Sequence, residues 1–236
     1  MNYNESNEMT YAQSFERSVA TTVLKNVYLW MTAALAISGL TAMVVAESPA
    51  ILNMIFANSF TMWGFLLAQL ALVWFFSARL HKLSFPTAAI LYTVYAVMMG
   101  VTLSTIFLAY TMQSIASVFF ITAGTFGAIS LFGYFTKRDL SSWGSILLMG
   151  LIGMIIASVV NMFLASETLY WIISYVGVLI FVGLTAYDTQ RIKDMAHQVA
   201  ANDDMGKKVA LMGALMLYLD FVNLFLYLLR IFGNRE

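Results

Sequence analysis

Long apolar segments alternate with short polar breaks along this chain. Seven apolar segments can be distinguished, at 25–46, 60–79, 86–110, 114–135, 142–164, 169–190 and 210–232. Each is long enough, at a rise of about 1.5 Å per residue, to cross a hydrocarbon layer about 30 Å thick. None shows the sustained alternation of a membrane barrel strand. The pattern therefore predicts an all-α integral membrane protein with seven transmembrane helices, called here spans one to seven.

The polar beginning of the chain differs from the rest. Residues 1–24 lack the short apolar core and the cleavage site of a secretory signal, so span one is expected to be an uncleaved anchor. We predict a flexible cytoplasmic tail at 1–24 and one transmembrane domain at 25–236. Hydrophobic residues make up 61% of the chain and charged residues 10%, against about 25% charged in soluble domains. The absence of cysteine excludes disulfides, thiolate metal sites and a cysteine nucleophile.

Positive charges are distributed unevenly between the two sides of the predicted bundle. Ten of the twelve Lys and Arg residues precede span one or follow spans two, four and six, and the connections after spans one, three and five contain none. By the positive-inside rule, the amino terminus is cytoplasmic. Span seven is long enough to cross, which puts Arg230, Arg235 and the carboxyl terminus outside. A re-entrant seventh helix is the alternative, and it would put all twelve inside.

Two carboxylates interrupt the apolar segments, Asp188 in span six and Asp220 in span seven. An aspartate at the centre of a membrane helix costs about 2.5 to 3.5 kcal/mol, so both need an explanation. In span seven, Asp220 shares one helical stripe with Asn223, Tyr227 and Arg230, at i, i+3, i+7 and i+10. The stripe predicts a polar inner face.

Span six carries a comparable stripe that includes small residues, which allow a neighbouring helix to approach closely. Its members are Ser174, Gly177, Phe181, Thr185 and Asp188. If span seven enters the membrane near Gly213, after a cytoplasmic connection at 194–212 with a helical extension, Asp220 reaches about the depth of Asp188. Span two adds Gln69 and Arg79, the latter near the cytoplasmic end. The sequence therefore predicts a feasible aspartate pair near that end.

Three motifs closely resemble the Bax inhibitor-1 family, also called transmembrane Bax inhibitor motif proteins. They are "TKRDLSS" (136–142), "GLTAYDTQRIK" (183–193) and "LYLDFVNLFLYLLRIFG" (217–233). The resemblance covers all seven spans and excludes the tail. It implies a seventh helix at the centre, ringed by six, and a location in the bacterial inner membrane. In bacterial members it implies a pH-sensitive calcium leak.

The resemblance also implies roles for individual residues. Asp188 and Asp220 correspond to the paired aspartates that sense pH, and they are candidates for transient Ca²⁺ coordination. Arg79, in "FFSARLHK", resembles the arginine that latches onto the helix-six aspartate. Gln69 stands where some members carry an acidic residue. Pore-lining candidates are Asn223, Tyr227, Gln69 and Arg230.

The same residues can instead have purely structural roles. Asp188 can be an interfacial residue paired with Arg191, and Asp220 and Arg230 can be polar groups that hold helices together. If the two aspartates do meet in a poorly hydrated site, they repel as anions and share a proton, so the pair titrates as a unit. A shared proton would lock span six to span seven, and its loss would favour their separation.

The function predicted is a pH-sensitive cation leak. We expect no enzyme activity, because HExxH and phosphate-binding glycine motifs are missing, and "LYLD" lacks the Gly-x-Gly-Asp pattern of intramembrane aspartyl proteases. No resident cofactor and no nucleic-acid partner are expected. The partners expected are the lipid bilayer and Ca²⁺ or other cations. The alternative is a membrane-embedded modulator that binds a membrane-anchored AAA protease, with segment 1–24 as the handle.

Overall fold

The computed structural model describes the backbone of residues 3–56, 58–199 and 203–235, and the side chains in these ranges from residue 20 onward. Within these ranges the chain forms nine α-helices, one 3-10 helix at Leu80–Lys82 and no strand. The α-helices are α1 (Tyr3–Ala46), α2 (Pro49–Phe56), α3 (Ser59–Arg79), α4 (Phe85–Leu103), α5 (Ile106–Ala109), α6 (Met112–Phe135), α7 (Ser141–Leu164), α8 (Glu167–Ala196) and α9 (Asp204–Phe232).

Seven helical segments are long and apolar enough to cross a membrane, as the sequence predicts. They are α1, α3, α4 with α5, α6, α7, α8 and α9. The polar breaks between them supply helix caps. Asn58 Oδ1 accepts the N–H of Phe60 at 2.9 Å, and Asp203 Oδ1 accepts the N–H of Gly206 at 2.6 Å. These caps satisfy N–H groups that have no partner inside the helix, so they stabilise the first turns of α3 and α9.

Helices α7 and α8 are joined by a very short turn. Ala165 ends α7 in the left-handed region, with φ of 48°, which is uncommon for a residue other than glycine. Asn161 Oδ1 accepts the N–H of Ser166 at 3.0 Å across the turn. Ser166 in turn caps α8 by accepting the N–H of Leu169. This hydrogen bonding offsets the backbone strain and packs α7 against α8.

The third predicted span is interrupted. Helix α4 ends at Leu103 and α5 begins at Ile106, whereas the apolar run continued to residue 110. Ser104 Oγ donates to the carbonyl oxygen of Val101 at 2.7 Å, and Thr105 Oγ1 donates to that of Thr102 at 3.0 Å. Hydroxyl groups that bond to the nearby backbone compete with helical hydrogen bonding, which accounts for the break.

The predicted boundary at residue 24 is not where the packed domain begins. Helix α1 starts at Tyr3, and Ala20, Val23 and Leu24 are buried against the bundle. These small and branched apolar residues sit among charged neighbours, so average polarity concealed them. Flexibility of segment 1–24 stays a prediction. A short helix, α2, also occupies part of the connection that the sequence left between spans one and two.

Helix α9 lies at the centre of the molecule. In its apolar 18-residue stretch 67% of the residues are buried, against 39% for α8 and 6% for α7. Helices α1, α4, α6 and α8 pack against it, while α3 packs on α4 and α7 on α8. Leu211, Leu217 and Leu224 are fully buried, so the apolar face of α9 is enclosed as well as its polar stripe. The prediction of a central seventh helix is confirmed.

The outer surface of the bundle is apolar. Phe60 of α3 and Phe163 of α7 are each 84% exposed, and Trp74 is 74% exposed. Soluble proteins rarely expose contiguous apolar surface of this kind, whereas a bilayer provides an apolar solvent for it. The molecule is therefore an integral membrane protein, and the few polar side chains buried in its largely apolar interior are the candidates for function.

Candidate functional site at the aspartate pair

The carboxyl groups of Asp188 and Asp220 meet between α8 and α9. They lie in hydrogen-bonding contact with each other, and both are buried, with exposed fractions of 9% and 4%. The structure therefore brings together the two side chains that the sequence predicts as a pair. Helix α9 begins at Asp204, so the predicted helical extension before Gly213 is present and sets the two carboxyl groups at one level.

Close approach of α8 and α9 depends on a glycine. A Cβ atom at Gly177 would lie 2.8 Å from ring carbons of Tyr227, closer than real side chains pack. The Tyr227 ring stacks on Phe181, with centroids 5.8 Å apart and an interplanar angle of 25°. All five residues of the predicted α8 stripe are buried, as expected of an inward face. The small residue thus lets the aromatic side chain of α9 fill the space beside α8.

Hydroxyl groups near the pair are already engaged elsewhere. Thr185 Oγ1 donates to the carbonyl oxygen of Phe181 and Thr189 Oγ1 to that of Thr185, both at 2.7 Å. No N–H or O–H group in the described ranges donates to Oδ2 of Asp220, although this atom is buried. A buried polar atom without a partner costs about 1–3 kcal/mol. A proton shared between the two carboxyl groups would remove that cost.

Tyr218 is a polar residue of the core that sequence reasoning missed. It is fully buried on α9 and packs edge to face on Tyr95 of α4, with centroids 6.2 Å apart. Its hydroxyl oxygen, like Oδ2 of Asp220, has no hydrogen-bond partner among the described residues. Ser38 lies beside it, but its hydroxyl donates to the carbonyl oxygen of Ala34 at 2.7 Å. Because α9 is central, a polar residue opposite the predicted stripe is enclosed too.

Arg79 does not reach the aspartate pair in this structure. It is exposed at the end of α3, and the one salt bridge among the described residues joins Lys208 to Asp204 at 2.6 Å. The predicted contact between Arg79 and Asp188 is therefore absent from this structure, in which the arginine is exposed to the surroundings of the bundle. Arg191, one turn further along α8, is the cation whose charge acts on Asp188, at more than ion-pair distance. A latch in another conformation stays a prediction.

Gln69 and Asn223 serve local structure. Gln69 is buried between α3 and α4, where Thr102 Oγ1 donates to its Oε1 at 3.1 Å and its Nε2 donates to Sδ of Met99 at 3.5 Å. Asn223 is half-buried and donates to the carbonyl oxygen of Leu219 in its own helix at 2.8 Å. The structure joins neither to the aspartates by a hydrogen bond. Their pore-lining role stays a prediction.

The far end of the α9 stripe forms a separate polar site. Arg230 lies about 15 Å along the helix from Asp220, with its guanidinium 5.1 Å from the ring of Tyr227 and 5.7 Å from that of Tyr170. It lines a cavity of about 570 Å³ together with Glu167 and Arg235, among others. The stacked Tyr227 ring fills the stripe between this cavity and Asp220, so the stripe is closed here.

Arg235 is held at the edge of the same cavity. Its Nη2 donates to Oη of Tyr170 at 2.8 Å. A hydrogen bond with Tyr110 and the nearby Tyr170 ring raise the pKa of Arg235 above its ordinary value. Residue Tyr110 also pairs with Arg235 through an isolated backbone bridge. The end of the chain is thereby fastened to the α5–α6 connection.

Comparison with known proteins identifies relatives across almost the whole chain. The family described as "Inhibitor of apoptosis-promoting Bax1" matches residues 20–236. Inner membrane protein YbhL of Escherichia coli K12 is 50% identical, over 91% of this chain and 92% of that protein. A protein of Rickettsia prowazekii is 44% identical over 95% of this chain and 94% of its own, and one of Borreliella burgdorferi is 46% identical over 90% and 92%.

Proposed function

Because this chain belongs to the Bax inhibitor-1 family, we propose that it is an inner-membrane cation leak, with Ca²⁺ as a transported ion, whose flux depends on a proton shared by Asp188 and Asp220. The observation that carries the proposal is the contact between two buried carboxyl groups on neighbouring helices, one of them central. Structural polar groups of membrane helices usually find a donor, whereas Oδ2 of Asp220 has none among the described residues.

The proton acts as the lock. Two carboxylates in contact within a poorly hydrated site repel when both are ionised, so one proton is retained between them and the pair titrates as a unit. While it is shared, a charge-assisted hydrogen bond ties α8 to α9. Loss of the proton as pH rises replaces that bond by repulsion and favours separation of the two helices. Flux is therefore expected to increase with pH.

Cation passage follows from the same charges. The ionised pair attracts a cation, and carboxylate oxygens suit Ca²⁺. No third acidic or histidine side chain joins the pair within the described ranges. Two carboxylates give weak, transient coordination, which suits conduction because a transported ion must leave again. Neither a resident cofactor nor an enzymatic step is part of the proposal.

Orientation forms part of the proposal. With ten of twelve Lys and Arg residues at one end of the bundle, the positive-inside rule makes that end cytoplasmic, with the amino terminus. The aspartate pair then faces the cytoplasmic half of the membrane. The carboxyl terminus is outside, with Arg230 and Arg235. The inner membrane is supported by the name of the Escherichia coli relative.

Liposome flux tests the mechanism. Asp188→Asn and Asp220→Asn keep the size of the side chain, and the new amide can donate to the remaining carboxylate as the shared proton does, so each variant should lose the pH dependence of cation flux and stay near the low-pH level of the wild type. The double variant should add little, because coupled residues are not additive. Flux of Ca²⁺, K⁺ and H⁺ is measured with reconstituted protein across about pH 5 to 8.

A matched control distinguishes the effect of the aspartate pair from the effect of removing any carboxylate of α8. Asp194 lies on α8, six residues after Asp188, and is exposed. Asp194→Asn should keep the full pH response. If both single variants of the pair fold and respond to pH as the wild type does, the proton-sharing mechanism is wrong.

A second function, modulation of a membrane-anchored AAA protease, is supported by helix α1. The sequence predicts the first span at 25–46, yet helix α1 starts at Tyr3, so its backbone continues beyond the predicted span. A helical segment outside the predicted span is a candidate handle for a partner, and ion conduction does not require it. Deletion of residues 3–19 should then alter proteolysis in cells while leaving liposome flux intact. Unchanged proteolysis would remove this second function.

A further inference from the structure

Two cavities adjoin at the basic end of the bundle, where α1, α6 and α8 meet. One has a volume of about 620 Å³ and is lined by Lys137, Lys193 and His197, among others. The other, of about 500 Å³, lies between α1 and α6. They share three lining residues, which are Thr21, Tyr134 and Phe135. The shared lining places the two cavities side by side, and together they are called here the depression, with a polar and an apolar part.

The polar part is positively charged. Lys193 Nζ donates to the carbonyl oxygen of Tyr134 at 2.9 Å and lies 5.1 Å from the centre of its ring, so the ammonium group is fixed at the cavity wall. Lys137 reaches the cavity from the α6–α7 connection and His197 from the end of α8. The lining includes no acidic residue. Two ammonium groups and an imidazole with no carboxylate among them favour an anionic ligand.

The apolar part runs along the membrane-spanning portion of α6. Gly127, Leu131 and Phe135 line it from α6, and Leu24 and Tyr28 line it from α1. Its polar lining residues are Thr21, Lys25 and Ser130, and Lys25 adds a third cation to the depression. Gly127 has no atom within 4 Å of the place where a Cβ would stand, so the groove is open there. From Tyr134 to Gly127 it extends about 10 Å toward the middle of the span. That shape and polarity suit a hydrocarbon chain.

We propose that this depression binds one anionic phospholipid from the leaflet at the basic end of the bundle. The phosphate lies between Lys137 and Lys193, and an acyl chain follows the groove past Gly127. Basic recesses between transmembrane helices are suited to acidic lipid headgroups. Charge complementarity selects an anionic lipid, because a zwitterionic headgroup brings its own ammonium group toward the two lysines. Bound there, the lipid joins α1, α6 and α8.

Native mass spectrometry of the full chain tests the polar part. Phosphatidylglycerol and phosphatidylcholine with identical acyl chains are titrated into the detergent-solubilised protein. Lys137→Gln with Lys193→Gln should weaken phosphatidylglycerol binding by about fivefold for each charge removed, the contribution of one basic residue near an anionic lipid surface. The control, Lys82→Gln with Lys207→Gln, removes two cations of the same end that do not line the cavity, and should bind as the wild type does.

Substitution in the groove tests the apolar part. Gly127→Phe fills it without touching another atom at Cβ, and should lower phosphatidylglycerol binding at least as much as the double lysine variant. Gly124→Phe places the same side chain three residues away on α6, also in open space but outside the lining, and should have no effect. Inorganic phosphate at equal concentration should not displace the lipid, because it lacks the acyl chain.

Three results would overturn the proposal. Equal binding of the two lipids by the wild type would remove charge selection. Equal loss of phosphatidylglycerol binding in the cavity variants and the control variants would show that the lipid does not bind in the depression. Complete displacement by inorganic phosphate would identify a free-anion site instead. If the double lysine variant fails to fold, the comparison of Gly127→Phe with Gly124→Phe still tests whether the lipid occupies the groove.

Discussion

At the scale of single residues, the aspartates differ from the other polar side chains of the spans. Thr122, Thr185 and Asn223 each donate to the carbonyl oxygen four residues earlier in their own helix, at 2.7 or 2.8 Å. Such groups satisfy themselves and need no neighbour. A carboxylate has no proton to donate, so Asp188 and Asp220 depend on each other or on solvent. The proposed response to pH rests on that dependence.

Arg191 and Arg79 give a matched pair of substitutions around Asp188. Arg191 is the cation that acts on this carboxyl group, while Arg79 is exposed and makes no ion pair among the described residues. Removal of a nearby cation makes the shared proton harder to lose, so Arg191→Gln should move the midpoint of flux to higher pH, by less than about one unit for an exposed charge. Arg79→Gln should leave the midpoint unchanged. Liposome flux against pH measures both.

A shift with Arg79→Gln alone would show that this side chain reaches Asp188 in a conformation other than the present one. The latch that the family resemblance implies would then be restored. If neither variant moves the pH midpoint of flux, the charge of Arg191 on α8 does not control how the aspartate pair loses its proton.

The sequence predicted the aspartate pair because helical spacing and depth are both readable from it. Ten residues of helix advance by about 15 Å wherever they occur, so the stripe positions on α8 and α9 carried over directly. The neighbour that a side chain faces across the bundle cannot be read from spacing in the same way. Whether Gln69 faces α4 or the pair depends on how α3 is rotated, and neither residue types nor spacing specify that rotation when the lipid-facing side is equally apolar. Tyr218 was missed because only the stripe of Asp220 was taken as an inward face, whereas the central helix α9 is enclosed on the opposite face as well.

At the scale of helices, backbone contact between α6 and α8 determines where the pair lies. A Cβ at Gly133 would collide with the backbone carbonyl of Ala186, two residues before Asp188. Close approach of this kind, through small residues, is how membrane helices associate.

The break between α4 and α5 could not be read from hydropathy, because it arises from hydroxyl groups that bond to the backbone. The spans as a set were predictable because their length alone identifies them.

Gly133→Ala should therefore destabilise the protein, because the neighbouring backbone must move; overpacking of this kind costs about 1–3 kcal/mol. Gly124→Ala on the same helix meets no atom within 4 Å and should be neutral or slightly stabilising. Thermal unfolding in detergent compares the two. Equal stability of the variants would mean that α6 and α8 can separate without cost.

At the scale of the whole molecule, orientation is the main expectation left to measure. Basic residues gather at one end of the bundle, which the positive-inside rule makes cytoplasmic. A reporter fused after Arg138 should be cytoplasmic, and one fused after Glu236 should be external. Activity of both reporters on the same side would mean that α9 does not cross the membrane.

Helix α9 is the one around which the others are built, yet the ribosome makes it after all of them. Until it arrives, the inward faces of α1, α4, α6 and α8 surround nothing, and Asp188 has no carboxyl group to share its proton with. Insertion of α9 therefore completes the core and the proposed proton switch together. A chain cut short before Asp204 should keep six spans and lack both, so its turnover in the membrane, compared with that of the full chain, measures how far assembly depends on α9.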